Sequence, residues 1–199
     1  MNYYNEISSG YDNLHKEEQM KKLSIIKQEG IVQESDILLD VGCGTGFSLD
    51  YFSVKKAFGI DPAEKLVEKY SGSQDIQVAS AENLPFEDNF FDAVVVSLVL
   101  CSVDSLEKTM AEIKRVLKPE GKLIMLEHTR SENKILGKLE DIFSDLHARL
   151  FQNCHLNRKP SVLAKKEGFR LVKEIKIPYF FGDIIFAILK KTKNSKAGD

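Results

Sequence analysis

No apolar stretch in this sequence approaches the roughly 20 residues needed to cross a bilayer; Val94–Val99 and Ile184–Leu189 are strand-sized. A spanning helix is therefore excluded. Cysteine is scarce as well: three residues, at positions 43, 101 and 154, an odd number that argues against a disulfide framework. No charge dominates, because the net charge is −2 with 29% charged residues, so no overall basic field draws the chain to nucleic acid or an anionic membrane. Met1–Gly10 lacks an apolar signal core. The expectation is a cytoplasmic protein without a membrane span; local patches leave contact with a membrane surface open. With 199 residues, one domain with a substantial core is the simplest organisation.

What is present is organised around Leu38–Phe47, an apolar run that ends in Gly42, Gly44 and Gly46 at every second position. This reads as a first strand entering a loop and a helix, with glycines where a ligand must approach the backbone. A dinucleotide site wants G-x-G-x-x-G, but here Gly46 comes one place early and Phe47 takes the last position. Asp40 repels a pyrophosphate and attracts an ammonium. Asp61, about 20 residues on, ends the next apolar strand, where such folds place an acceptor for ribose hydroxyls. The pattern suits a cofactor built on an amino acid and a sulfonium.

Together, Asp40-Val-Gly-Cys-Gly-Thr-Gly46 and Gly59-Ile-Asp61 resemble motifs of the class I S-adenosylmethionine (SAM) methyltransferases. Ala81-Glu-Asn-Leu-Pro-Phe86, Phe91-Asp92 and Val116-Leu-Lys-Pro-Glu-Gly121 resemble the branch that includes ubiquinone and menaquinone methyltransferases. The resemblance implies SAM as cofactor, S-adenosylhomocysteine as product, and a cofactor lining of Asp40, Gly42, Cys43, Gly44, Gly46, Asp61, Pro62, Ser80, Ala81, Glu82, Ser97 and Leu98. Ser80 departs from the branch, which usually has Asp there. A neutral hydroxyl makes a weaker bond, so either adenine affinity falls or Glu82 takes over.

The rest of the chain alternates strand and helix, which argues for a parallel sheet covered on both faces. Phe47–Ser53 reads as a short helix, Lys56–Ile60 as a strand, Ala63–Lys69 as a helix opened by Pro62, and Ile76–Ser80 as a strand. Ala93–Leu100 lacks alternation, as a strand buried on both faces does. Ser105–Lys118 is an amphipathic helix, Pro119–Gly121 a turn and Lys122–Leu126 the fifth strand. Pro160–Glu167 is a helix closed by Gly168. Phe169–Ile177 and Phe181–Leu189 leave no room for a helix between them and so pair antiparallel. The predicted fold is a Rossmann-like, seven-stranded, mostly parallel α/β sheet with the last strand reversed. Residues 1–30 form an N-terminal helical lid segment, 31–191 the methyltransferase domain, and 192–199 a disordered tail.

Five residues are candidates for the substrate pocket: Tyr4, Tyr11, Cys101, His128 and Arg130. By the resemblance, Tyr11–Asp12 of the lid lies near substrate, although these tyrosines equally fit surface packing. Cys101 follows the central strand and reads either as a small buried apolar residue or as a substrate contact. His128 and Arg130 end the fifth strand, where an imidazole serves as base and a guanidinium pairs with an anion; solvated loop residues are the alternative. Residues 132–153, a helical insertion, carry Ile135, Leu139, Ile142, Leu146 and Leu150 on one face, widened by Phe143 and Phe151. This face is either a substrate lid or ordinary core. Cys154 and His155 are adjacent and lack the separated ligands of a structural zinc site, so no metal is expected.

Within residues 126–191, Glu127-His-Thr-Arg-Ser-Glu-Asn133, Phe151-Gln-Asn-Cys-His-Leu-Asn-Arg158 and Phe181-Gly-Asp-Ile-Ile-Phe-Ala187 are also similar to phospholipid N-methyltransferases and alkyl-thiol methyltransferases, which implies a small lipophilic acceptor: a thiol, amine or quinol. Two rivals remain, a tRNA or protein methyltransferase working with a partner subunit and a non-catalytic SAM-binding module. No stand-alone nucleic-acid binding is expected, and both monomer and homodimer fit.

Overall fold

The structure is a computed structural model that describes residues 20, 23–151, 153–177 and 183–192. Seven strands form one sheet: β1 (Ile37–Val41), β2 (Lys56–Asp61), β3 (Asp75–Val78), β4 (Phe91–Ser97), β5 (Leu117–Thr129), β6 (Phe169–Ile177) and β7 (Asp183–Lys191). Their order is β3-β2-β1-β4-β5-β7-β6. The first five run parallel, whereas β7 runs antiparallel to both neighbours, with Leu126 opposite Phe186 and Ile177 opposite Ile184. The reversed strand is the feature that sets a methyltransferase sheet apart from a dinucleotide one. It lies inside the sheet, with β6 as the edge.

The helices are α1 (residues 23–28), α2 (Glu64–Val67), α3 (Leu106–Val116), α4 (Lys134–Leu150) and α5 (Pro160–Lys166). Alternate side chains of β1 and β4 enter opposite halves of the core. Leu39, Val41, Val94 and Val96 pack with α3 on one face, while Leu38, Ala93 and Val95 pack with Leu23 and Ile26 of α1 on the other. Burial on both faces explains why β4 reads as an unbroken apolar run. No helix among the described residues is long and apolar enough to cross a membrane.

Four sequence expectations are corrected. Residues 47–53 form successive turns, not a helix, with Leu49 N–H bonded to Gly46 O and Tyr51 N–H to Ser48 O; Gly46, Ser48, Asp50 and Ser53 are poor helix formers in so short a stretch. The helix expected over Ala63–Lys69 shrinks to four residues and ends in tighter turns. The turn at Pro119–Gly121 is absorbed as a bulge within β5, where Glu120 takes a φ of 64°. The last correction concerns α4, whose apolar face points outward: Ile135 is 76% exposed, and Leu139, Ile142, Phe143, Leu146, Leu150 and Phe151 are also exposed. The inward stripe is Gly137, Glu140, Ser144 and Ala148. Small side chains at this spacing admit close approach, and Glu140 and Ser144 bond Ser131 N–H and Asn157. The face is therefore neither core nor a closed pocket wall. Tyr4, Tyr11, the rest of the lid to residue 19 and tail residues 193–199 lie outside the described residues.

One side of the core is fixed by an aromatic cluster. Phe91, fully buried, meets Phe58, Phe86 and Phe90 edge to face, with centroids 5.6, 4.9 and 4.9 Å away. Phe91→Ala is expected to lower unfolding free energy by about 3–5 kcal/mol, measured as a fall in the urea midpoint without a change in slope.

Candidate functional site

At the carboxyl end of β1 the chain turns through Gly42, Gly44 and Gly46, whose φ angles are 75°, 58° and 78°. A side chain is excluded at Gly42 for a second reason, because a Cβ there would overlap Val99 Cγ2. The ring of Tyr70 packs over Gly46 and its hydroxyl donates to Asp50 at 3.0 Å. The loop's amides are bonded within the protein: Gly42 and Cys43 N–H donate to Ile60 O at 2.8 and 3.0 Å, and Gly46 N–H donates to Cys43 O at 3.0 Å.

Two carboxylates border this loop. Asp40 is 6% exposed and Asp61 8%. Asp61 accepts the amide protons of Gly44 at 2.9 Å and Ala63 at 2.8 Å, one on each oxygen. Asp40 accepts from the Ser48 hydroxyl. Among the described residues, no lysine or arginine forms a salt bridge with either. Burial pushes the Asp40 carboxyl from 3.8 to about 7, against the pull of the Ser48 bond, and the charge of Asp61 adds to the rise. Burial also raises Asp61, against its two amide bonds. A desolvated carboxylate pair without a counter-ion is a receptor for a cation.

The opposite wall is the segment after β4. Leu98 adopts a φ of 56°, rare for a residue with a Cβ, and donates its N–H to Leu126 O at 2.9 Å. The fully buried Glu127 braces the next two residues, accepting from Val99 N at 2.8 Å and Leu100 N at 3.0 Å. Burial, and secondarily the Cys101 thiol, push its carboxyl up to about 8. Glu127 thus holds Val99 against Gly42. The signal for Glu127 in the sequence is a lone carboxylate closing an apolar strand.

The comparisons with known proteins agree with this geometry. Residues 39–125 match the model of the methyltransferase domain family. A demethylmenaquinone methyltransferase of Symbiobacterium thermophilum is 36% identical over 115 residues, which is 51% of this chain and 46% of that protein. A ubiquinone/menaquinone biosynthesis C-methyltransferase of Pseudomonas savastanoi is 40% identical over 101 residues, 51% of this chain and 40% of its own length. The chain is similar to the methyltransferase domain family over 87 of its 199 residues. It spans about half the length of the curated relatives it matches. Among solved structures, a SAM-dependent methyltransferase of Methanosarcina mazei superposes with a TM-score of 0.64 at 23% identity, covering 84% of this chain and 98% of that one. A Haloferax volcanii protein solved with the Trm112 methyltransferase activator gives 0.72 at 16% identity, covering 96% and 99%. These likenesses show the fold.

The chain brings most of the expected cofactor lining to one edge. Asp40, Gly42, Cys43, Gly44, Gly46 and Asp61 share the first loop and strand ends, and Ser97 and Leu98 stand across from them at the end of β4. Burial raises the Cys43 thiol well above its usual value, which leaves it protonated. Pro62 is exposed beyond Asp61. Ala81 is part of the core. Glu82 is already committed: one oxygen accepts from Asp104 N at 2.8 Å and the other meets the Ser80 hydroxyl. It ties the loop 80–82 to the start of α3, so substitution for the absent aspartate at 80 is left to the Ser80 hydroxyl and to the Glu82 edge that faces it.

The substrate candidates separate. Arg130 forks onto Asp141 at 2.8 and 2.7 Å and also donates to Ser131 O, so its donors fasten α4 and are not offered to an anion. His128 gathers with Cys101 and Cys154, and their ligand atoms all lie within 4.8 Å of one another. His155 turns away and pairs with Asn153. No spacing rule reveals this cluster, because its members come from three separate segments.

The raised Asp40 gives the unliganded protein a defined pH dependence. The folded carboxyl holds its proton more tightly than the unfolded one, so this contribution is complete below about pH 4 and is lost as pH rises through about 7. Between pH 5 and 8 the wild type is expected to lose about 2–3 kcal/mol relative to Asp40→Asn, read from urea unfolding of both proteins at each pH.

Proposed function

We propose that this chain transfers the methyl group of SAM to a small lipophilic acceptor, a thiol, amine or quinol. The observation that carries the reading is the buried Asp40–Asp61 pair beside a glycine loop, which no lysine or arginine among the described residues compensates. SAM supplies a methyl on a cationic sulfur, and its amino-acid portion carries an ammonium. Asp40 offers that ammonium a desolvated carboxylate, and the cation's presence returns Asp40 to its charged form. Asp61, fixed by two amides, keeps unused lone pairs for ribose hydroxyls. The glycines let the backbone approach the ligand, and Val99, held by Glu127, closes the far side. Alignment of acceptor and methyl within such a site can account for roughly 7–11 kcal/mol of barrier reduction.

The lipophilic acceptor is supported by the two relatives named above, whose activities concern quinones, and by the outward apolar face of α4 beside the same sheet edge. That face also favours a second reading, in which a partner subunit or a membrane surface covers α4 while the methyl acceptor is delivered; the Haloferax volcanii protein is one with an activator bound.

Calorimetric titration with SAM, S-adenosylhomocysteine and NAD is the first test. Both adenosyl compounds are expected to bind and NAD is not. Asp61→Ala is expected to weaken SAM about 10- to 100-fold, the loss of charge-assisted bonds, with an unchanged circular dichroism spectrum. Wild-type affinity in Asp61→Ala overturns the ribose assignment, and failure of SAM to bind overturns the function. Binding without methyl transfer to any thiol, amine or quinol offered favours the non-catalytic module.

A further inference from the structure

Cys101, His128 and Cys154 converge although the chain order separates them, and the surroundings hold them in place. Cys101 is 3% exposed and Cys154 8%, while His128 is half-buried. Cys154 Sγ lies 3.8 Å from His128 Nδ1, and the three ligand atoms fall within 4.8 Å of one another. A tetrahedral zinc ion with bonds of about 2.3 Å to sulfur and 2.0–2.1 Å to nitrogen sets its donors roughly 3.5–3.8 Å apart. The Cys154–His128 edge already has that length. Closing the longest edge asks for about 1 Å of side-chain movement.

The segments that carry the donors are bolted to one another. His155 N–H bonds Cys101 O at 2.8 Å, and Asn153 Nδ2 bonds Ser102 O at 2.8 Å. The Arg158 guanidinium donates to Leu100 O at 2.7 Å, and Arg130 N–H to Arg158 O at 2.9 Å. Cys154 O meets His147 Nδ1 at 2.8 Å. The loop after α4 is thus fastened to the loop after β4 and to the end of β5. This is the support a metal site needs so that ligand positions do not depend on the ion alone. All three cysteines are free thiols, so both sulfurs of the cluster are available as donors.

We propose that Cys101, His128 and Cys154 form a three-ligand site for a soft divalent cation, zinc foremost, at the carboxyl edge of the sheet. Two thiolates and an imidazole select zinc over the hard cations magnesium and calcium. Three protein donors leave the fourth tetrahedral position to an outside ligand, the arrangement of open rather than structural zinc sites. A thiol suits that position: on binding, its S–H proton goes to solvent and the sulfur remains on the metal as thiolate. Placed there, a thiol acceptor needs no general base. This last consequence rests on the methyl-transfer reading; the metal site does not.

The test uses the full chain, freed of metal with a chelator, reduced, and titrated with Co2+. One equivalent is expected to produce sulfur-to-cobalt charge-transfer absorption with the visible bands of a tetrahedral ion, and Zn2+ is expected to displace it. Cys101→Ser and Cys154→Ser are each expected to weaken Co2+ binding at least tenfold and cut the charge-transfer intensity to about half or less. His128→Ala weakens binding but keeps the sulfur bands, and Cys43→Ser leaves the spectrum unchanged. Should a buried serine disturb folding, the wild type alone decides: Zn2+ is expected to protect Cys101 and Cys154 from alkylation and a chelator to restore it, read by peptide mass spectrometry. No charge-transfer band, no protection, a spectrum indifferent to both serine variants, or reduced protein that forms a Cys101–Cys154 disulfide in preference to taking up metal each overturns the site. Because SAM binding is measured separately by calorimetry, failure here leaves the methyltransferase reading standing.

Discussion

Burial of both faces of β1 and β4 is the constraint on which the rest of the molecule depends. With leucines and valines filling both sides, these strands have no room for a functional side chain along their length. Chemistry is confined to the ends, where the chain leaves the sheet and backbone groups come free. Three buried carboxylates, Asp40, Asp61 and Glu127, stand at that carboxyl edge. Each has hydrogen bonds that hold it in place, and each is kept short of the solvation that would satisfy its charge. The edge is therefore poised for ligands that supply what the protein withholds.

The two halves of the edge differ in what they ask for. On the β1 side the unmet need is positive charge, set against carboxylates. On the β5 side the donors are sulfur and imidazole, with the Arg158 guanidinium packed close by. Val99 and Leu100 connect the halves, because Glu127 grips both amides while Val99 packs on Gly42 and Cys101 follows directly. A change at Glu127 would thus be felt by both halves without either ligand touching it.

Most of the fold was legible because it follows from local rules. Alternation of strand and helix, the non-alternating β4, the glycine spacing and the two C-terminal strands without a helix between them led to the sheet and to its reversed strand. The glycine loop at the end of β1 was legible for the same reason, being one continuous motif. What was not legible depends on encounters between distant segments. The orientation of α4 was obscured because its sequence has a clear apolar stripe, and nothing local says that a stripe of Gly137, Glu140, Ser144 and Ala148 packs inward. Arg130 reads as free until Asp141 faces it, and Cys154 reads as a neighbour of His155 alone until β5 brings His128 to it.

The position of β7 has a consequence for synthesis on the ribosome. Residues 183–191 are made after the other six strands of this sheet, yet they lie between β5 and β6. Until they emerge, β5 has no neighbour on one side and β6 has no sheet to join. The nascent chain therefore carries an unpaired β5 edge, with Leu123 to Leu126 exposed along it, through the translation of more than fifty further residues. Closure comes at one late step, when β7 slides between its partners and completes both ladders at once.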